Sequence, residues 1–294
     1  MKCLFVYNPN SGKGKFKKKQ DFIVKKLSQK FSVVDVMQTE RVGHAKEIAQ
    51  SACGKYDVLV CAGGDGTLSE VVSGIAEKEN RPMIGYLPAG TVNDVAHSLA
   101  IPKKLDKALD HIINGKPFAH DIFKAGEHYG IYVCCAGLFT ETSYHTNQKD
   151  KKRFGKVAYA FHGAKKMFTT KSIPIKLTFE GGEIETSCAM LLISNSRYVA
   201  SFPVNKKASL QDGFVDIVLV KEKKEIVSPS GIAKVLSMFL RGIGRKAGKD
   251  FIKLKLSSFD LETPPDAVIN IDGEKAFEGS FHFEVIKEGV QIII

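Results

Sequence analysis

Three glycine-rich stretches in this chain combine backbone freedom with hydroxyls and a carboxylate. They are Asn8-Pro9-Asn10-Ser11-Gly12-Lys13-Gly14-Lys15, Gly63-Gly64-Asp65-Gly66-Thr67 and Ala89-Gly90-Thr91-Val92-Asn93-Asp94. Glycine lets backbone N–H groups approach an anion, and a helix that starts there adds a positive partial charge. Thr67 and Thr91 can add hydroxyl donors. Together the three make a phosphate cradle. Asp65 is the unexpected residue in it, because a carboxylate beside phosphate-seeking N–H groups makes sense mainly with a cation between them. The structural alternative is that Asp65 only caps the following helix. The first stretch misses the G-x-x-x-x-G-K-[ST] spacing, so alone it reads equally as an ordinary Asn-Pro turn. Much later, Asp272-Gly273-Glu274 follows the apolar run AVINI. That turn could present two carboxylates at a domain edge, although Asp-Gly is also a strong hairpin signal.

The elements around these turns have a clear rhythm. KCLFVYNP, FSVVDVMQT, DVLVCA and PMIGYLP read as strands, and amphipathic helices follow them, including GHAKEIAQSAC and LSEVVSGIAE. Apolar strands alternating with helices predict a parallel sheet covered on both faces. Ligands of such sheets collect beyond the carboxyl ends of the strands, where all three glycine turns fall. Near residue 118 the pattern becomes alternating strands with glycine turns: IKLTFEGGEIETSCAMLLIS is hairpin-like, and FVDIVLVK and KLKLSSFDLET follow. That predicts an antiparallel sandwich, interrupted by helices at about 154–169 and 229–242. The expected boundaries are 1–120 for the α/β domain and 121–284 for the sandwich. The closing FHFEVIKEGVQIII could return to either.

Lys and Arg number 43 against 32 Asp and Glu, a net charge of +11, which favours polyanionic or anionic-surface partners. Recognition patterns for nucleic acid are missing, so none is expected as partner. The six cysteines mostly lie in apolar runs without paired C-x-x-C spacing, which suggests reduced, buried residues and a cytoplasmic protein. The first apolar run is short for a signal peptide, and no run approaches the length of a bilayer span. Membrane contact, if any, is expected to be peripheral.

In order along the chain, four motifs resemble the diacylglycerol kinase catalytic-domain family, especially soluble bacterial lipid kinases similar to sphingosine and ceramide kinases. They are Asn8-Pro9 with Ser11-Gly12, Gly63-Gly64-Asp65-Gly66-Thr67, Pro88-Ala89-Gly90-Thr91 with Asn93-Asp94, and Ile271-Asp272-Gly273-Glu274. Thr39 with Gly43-His44-Ala45, and Asp212-Gly213 with Asp216, match weaker positions. GGDGT alone is shared with NAD kinases and resembles a phosphofructokinase motif. The downstream PAGTxND and late DGE favour lipid kinases.

The resemblance implies an N-terminal α/β nucleotide-binding domain and a C-terminal antiparallel β-sandwich, with the active site in the cleft between them. It also implies that a tail of about 285–294 rejoins the first domain. The implied reaction is ATP- and Mg²⁺-dependent phosphorylation of a membrane lipid hydroxyl, with diacylglycerol going to phosphatidic acid. The alternatives are a kinase of a soluble acceptor such as NAD or a sugar phosphate, or a non-enzymatic nucleic-acid binder. By resemblance the base lies in the DGE motif, on Glu274 narrowly ahead of Asp272. Nucleotide contacts would come from Asn8, Pro9, Asn10, Ser11, Gly12, Thr39, Gly63, Gly64, Asp65, Gly66, Thr67, Glu70, Gly90, Thr91 and Asn93. Mg²⁺ would be held by Asp65, Asp94 and Asp121. A second, structural metal would use Asp212 and carbonyls near Ser209 and Phe214, against the alternative of a plain Asp-Gly turn.

One departure stands out. The glycines that follow N-x-R in the family are here Val199-Ala200-Ser201-Phe202, after Asn195-Ser196-Arg197-Tyr198. A basic stretch at 149–176 holds Lys151, Lys152, Arg153, Lys165 and Lys166, with apolar residues at helical spacing. It reads as a surface for an anionic membrane, or as a helix packed on the sandwich with a solvated basic face. Exposed edges of an antiparallel domain would allow a homodimer.

Overall fold

A computed structural model describes residues 1–137, 172–221 and 251–294. The basic stretch at 151–166 and the helices expected at 154–169 and 229–242 lie outside the described residues. The N-terminal part alternates as the hydrophobic pattern predicts. Strands β1 (Lys2–Tyr7), β2 (Val33–Gln38), β3 (Val58–Gly63) and β4 (Met83–Pro88) run parallel in the order β4-β3-β1-β2. Their helices are α1 (Lys15–Lys18), α2 (Gln20–Leu27), α3 (His44–Ala52), α4 (Asp65–Ile75), α5 (Asp94–Ser98) and α6 (Leu105–Asn114). Strand β3 is buried along its whole length. Its alternate side chains serve opposite faces: Leu59 and Cys61 join one core, and Val58, Val60 and Ala62 another. A central parallel strand covered on both sides needs such a continuous apolar run.

The strand-rich remainder comprises β5 (Pro117–Ala125), β6 (His128–Gly130), β7 (Val133–Gly137), β8 (Ile173–Phe179), β9 (Gly182–Ser194), β10 (Tyr198–Val199), β11 (Phe202–Pro203), β12 (Val215–Lys221), β13 (Phe251–Leu256), β14 (Ser258–Glu262), β15 (Val268–Ile271), β16 (Glu274–Glu278) and β17 (Phe281–Ile293). The run KLKLSSFDLET divides at Ser257 into β13 and β14. Strands β8 and β9 form the expected hairpin, with Phe179 opposite Gly182. Strand β17 pairs antiparallel with β5 and β14, and its end pairs parallel with β4 at Ile292↔Ile84. Hydrogen bonding is therefore continuous from the parallel strands into the antiparallel ones.

One core runs through both parts. Leu68 and Val72 of α4 share it with Ile131, Tyr132, Val133 and Leu192. Burying a side chain of this size contributes roughly 1.5–3 kcal/mol. This shared packing fixes how the antiparallel strands lie over α4, and so where the turn between β15 and β16 falls.

Candidate active site

The glycine turns converge because β3 and β4 end side by side, with Gly63 opposite Pro88. Helix α4 begins at Asp65, so the GGDGT turn is shorter than the sequence suggests: only Gly64 stands outside the helix, in extended conformation. A Cβ on Gly90 would lie 2.8 Å from the Gly64 Cα, so bare glycine lets the two turns touch. The second turn is held by Asn93, whose Nδ2 donates to Gly90 O (2.7 Å) and whose Oδ1 accepts from Gly90 N (2.8 Å). Asn93 has φ +56°, a region that Asn tolerates better than most residues. In the first loop, Asn8 Oδ1 accepts from Asn10 N (2.9 Å), and Asn8 O accepts from Ser11 N. Gly12, at φ +58°, abuts Ala89. Thr67 folds over Gly63, Thr39 is buried at the end of β2, and Pro9 and Thr91 border the turns.

The acidic residues sort by what holds them. Asp65 does not cap its own helix. Its Oδ1 accepts from Val95 N (3.3 Å), in the first turn of α5. Asp94 reaches across to the antiparallel part and accepts from Ala200 N (2.6 Å) and Ser201 N (2.8 Å). Ala200 and Ser201 both have positive φ, +53° and +67°. Those are conformations that glycine adopts freely, and here the two N–H groups form a nest around the Asp94 carboxylate. Glu70 accepts from Gly43 N (2.9 Å) and Ala45 N (3.0 Å), binding the first turn of α3. Glu70 therefore ties the Thr39–Ala45 loop to α4.

Asp272 is buried, and four donors surround it. Oδ2 accepts from Ser69 Oγ (2.7 Å) and Ile131 N (2.9 Å), and Oδ1 from Tyr132 N (3.0 Å) and Val133 N (3.1 Å). Burial pushes its pKa up to about 6 against the pull of those donors. Glu274 differs. Its Oε1 lies where a Cβ on Gly66 would be only 3.1 Å away, and its carboxylate takes part in no hydrogen bond or ion pair among the described residues. Partial burial of the carboxylate raises its pKa, and the charge of Glu70 adds to the rise.

The expected three-carboxylate set does not assemble. Asp65 and Asp94 lie together, but Asp121, on β5, turns to Gly213 N (2.7 Å) and Glu288 N (2.7 Å). Among the described residues, no three His, Cys, Asp or Glu side chains are grouped to hold a metal. Asp65 and Asp94 nevertheless fit a dication bound with a nucleotide. Both are buried and both are raised by that burial, Asp94 to about 7 with the Asp65 charge as a further cause. Mg²⁺ takes few protein ligands beside phosphate oxygens and water. The Asp212 loop is a closed turn: Phe214 N donates to Asp212 Oδ1 (3.2 Å), Gln211 N donates to Ser209 Oγ (3.4 Å), and Lys255 pairs with Asp212 Oδ2 (2.6 Å). An ammonium thus already meets the carboxylate assigned to a second metal.

Sequence reading missed Ser69 and the Ala200–Ser201 nest. Ser69 sits in the GGDGTLSE run, but nothing local reveals a partner 203 residues away. The nest had one signal, the loss of glycines at a place where the family has them.

A family model described as the diacylglycerol kinase catalytic domain matches residues 2–125. A protein named diacylglycerol kinase from Staphylococcus saprophyticus is 33% identical over 289 residues, covering 98% of this chain and 93% of its own length. One of the same name from Staphylococcus aureus is 34% identical over 271 residues, 92% of this chain and 84% of the relative. The crystal structure of a diacylglycerol kinase from Bacillus anthracis superposes with a TM-score of 0.79 at 25% identity, covering 99% of this chain and 96% of that one.

Proposed function

Because the chain belongs to the diacylglycerol kinase family, a family of kinases with an alcohol acceptor, we propose that it transfers the γ-phosphoryl group of ATP, with Mg²⁺, to the free hydroxyl of diacylglycerol, giving phosphatidic acid. The chain is a transferase of lipid metabolism, and among the described residues no helix is long and apolar enough to cross a membrane. One observation carries the finer reading. The Glu274 carboxylate is seated against Gly66 in the first turn of α4, beside the glycine turns, and among the described residues it makes no hydrogen bond or ion pair.

A base must reach the acceptor hydroxyl with a carboxylate able to take a proton. Asp272 has four donors on its two oxygens and little capacity left, so its part is to dock the turn onto α4. Glu274 removes the hydroxyl proton as the oxygen attacks the γ-phosphorus. The bond from that phosphorus to the bridging oxygen breaks, and ADP leaves with the electron pair. The glycine turns and the α4 N-terminus offer N–H groups to the phosphates. Asp65 and Asp94 would hold Mg²⁺, which neutralises phosphate charge when bound. Asn93 and Glu70 shape the nucleotide side without touching phosphate themselves.

Residues 1–120 then serve the nucleotide and 121–284 the acceptor. Lys151, Lys152, Arg153, Lys165 and Lys166 bring the enzyme to an anionic surface as a peripheral, cytoplasmic protein. The test is incubation with ATP and Mg²⁺ against diacylglycerol, sphingoid bases, NAD and sugar phosphates, the lipids in mixed micelles. Phosphatidic acid as the main product supports the reading, and a phosphorylated soluble acceptor overturns it.

A further inference from the structure

The rest of the molecule offers one device that the phosphoryl-transfer reading leaves unused. Glu70 lies four residues after Gly66, hence one turn along the same face of α4. Gly66 is where the Glu274 carboxylate rests. Both oxygens of Glu70 are fixed, by Gly43 N and Ala45 N at the start of α3. A carboxylate that accepts from two backbone donors at a helix N-terminus is held in one place. An ordinary surface acid would swing away from a neighbouring acid, and this one cannot.

We infer that Glu70 is a positioning residue for Glu274: anchored by the first turn of α3, its carboxylate stands fixed one turn along α4 from the Glu274 seat and ties the setting of that carboxylate to the Thr39–Ala45 loop. The inference rests on the reading of Glu274 as the base. Burial raises the Glu274 pKa, and among the described residues the charge of Glu70 adds to that rise. The other groups nearby are otherwise engaged. Asp272 is surrounded by its four donors, and Asp65 points to α5. The Tyr132 hydroxyl lies opposite Gly273, and Lys275 pairs with Glu278. A carboxylate whose proton affinity is raised toward the working pH is the more useful base. Glu70 also connects that strength to a loop on the nucleotide side, because the N–H groups that hold it belong to the segment following Thr39.

The experiment uses the full chain with Glu70→Gln, Glu70→Asp and Glu274→Gln. Two quantities are read: the pH profile of kcat/KM for diacylglycerol phosphorylation in mixed micelles, and a ¹³C NMR titration of the Glu274 carboxyl without substrates. In Glu70→Gln the acidic limb and the carboxyl titration both move to lower pH. The plateau rate falls by less than about tenfold, short of the roughly 10²–10⁴-fold that acid–base catalysis contributes. Glu70→Asp keeps the charge with a shorter reach and stays nearer wild type. Equal shifts in both Glu70 variants assign the effect to lost anchoring and overturn the inference. So does an unmoved titration in Glu70→Gln while Glu274→Gln is inactive. Wild-type activity in Glu274→Gln instead removes the base reading itself.

Discussion

Replacing Gly66 by alanine should separate activity from stability. A Cβ at Gly66 would stand 3.1 Å from Glu274 Oε1 and 3.9 Å from its Cδ. Ordinary contact starts near 3.4 Å, so the carboxylate must retreat by about 0.3–0.5 Å, which the end of a flexible side chain does easily. A misplacement of ~1 Å at a reacting group can cost ~10²-fold, so on a logarithmic scale this retreat costs about four- to tenfold in kcat. The fold gains rather than loses, since alanine is favoured over glycine in helices by up to about 1 kcal/mol. Gly74→Ala is the contrasting variant on the same helix. Its Cβ would collide with Lys46 O and come within 2.9 Å of Ala49 Cβ, forcing α3 off α4. Overpacking of that kind costs about 1–3 kcal/mol. Thermal unfolding and kinase kinetics on both proteins give the comparison. Gly66→Ala with wild-type kcat, or with a stability loss like that of Gly74→Ala, would refute the seating of Glu274 on α4.

Other outcomes follow from the same geometry. His120 is fully buried with its pKa lowered to about 4 by that burial, so the folded state holds it neutral. Its contribution is complete above pH ~6.5 and is lost as pH falls through ~4, about 3 kcal/mol in all; denaturant titrations of His120→Gln should lack that acid loss. Mg²⁺ with ATP should raise the melting temperature, by about 2.7 kcal/mol of stability at a hundredfold excess over Kd, and Asp94→Asn should lose the Mg²⁺-dependent part in calorimetry. Cys3, Cys61, Cys134, Cys135 and Cys188 are buried with thiol pKa values pushed up by desolvation. A thiol reagent on the native protein should therefore label only Cys53 quickly, as read by mass spectrometry.

Much of the fold was legible because periodicity reports burial directly. The runs around Val58–Ala62 and Met83–Leu87 could only be central parallel strands, and their glycine turns had to lie at one edge. The meeting of the glycine turns was readable for the same reason, since glycine at a strand end is local information. Long-range partnerships were not legible. Helix capping was the structural alternative for Asp65, yet its carboxylate accepts from the first turn of α5, a contact no local pattern shows. Asp121 seemed one of three metal acids, but its strand direction aims it at Gly213 and Glu288. The resemblance put Glu274 only narrowly ahead of Asp272, and the physical ground for separating them is the donors at each carboxylate. Those donors, Ser69 and residues 131–133, come from segments that no local pattern connects to the DGE turn.

The most direct measurement is the rate of phosphate transfer from γ-labelled ATP to diacylglycerol in mixed micelles by the Glu274→Gln protein. Nucleotide affinity and melting temperature are determined on the same sample. The expected result is a loss of about 10²–10⁴-fold in kcat with folding and nucleotide binding intact. Lipid phosphorylation at the wild-type rate would contradict a catalytic base on the DGE turn.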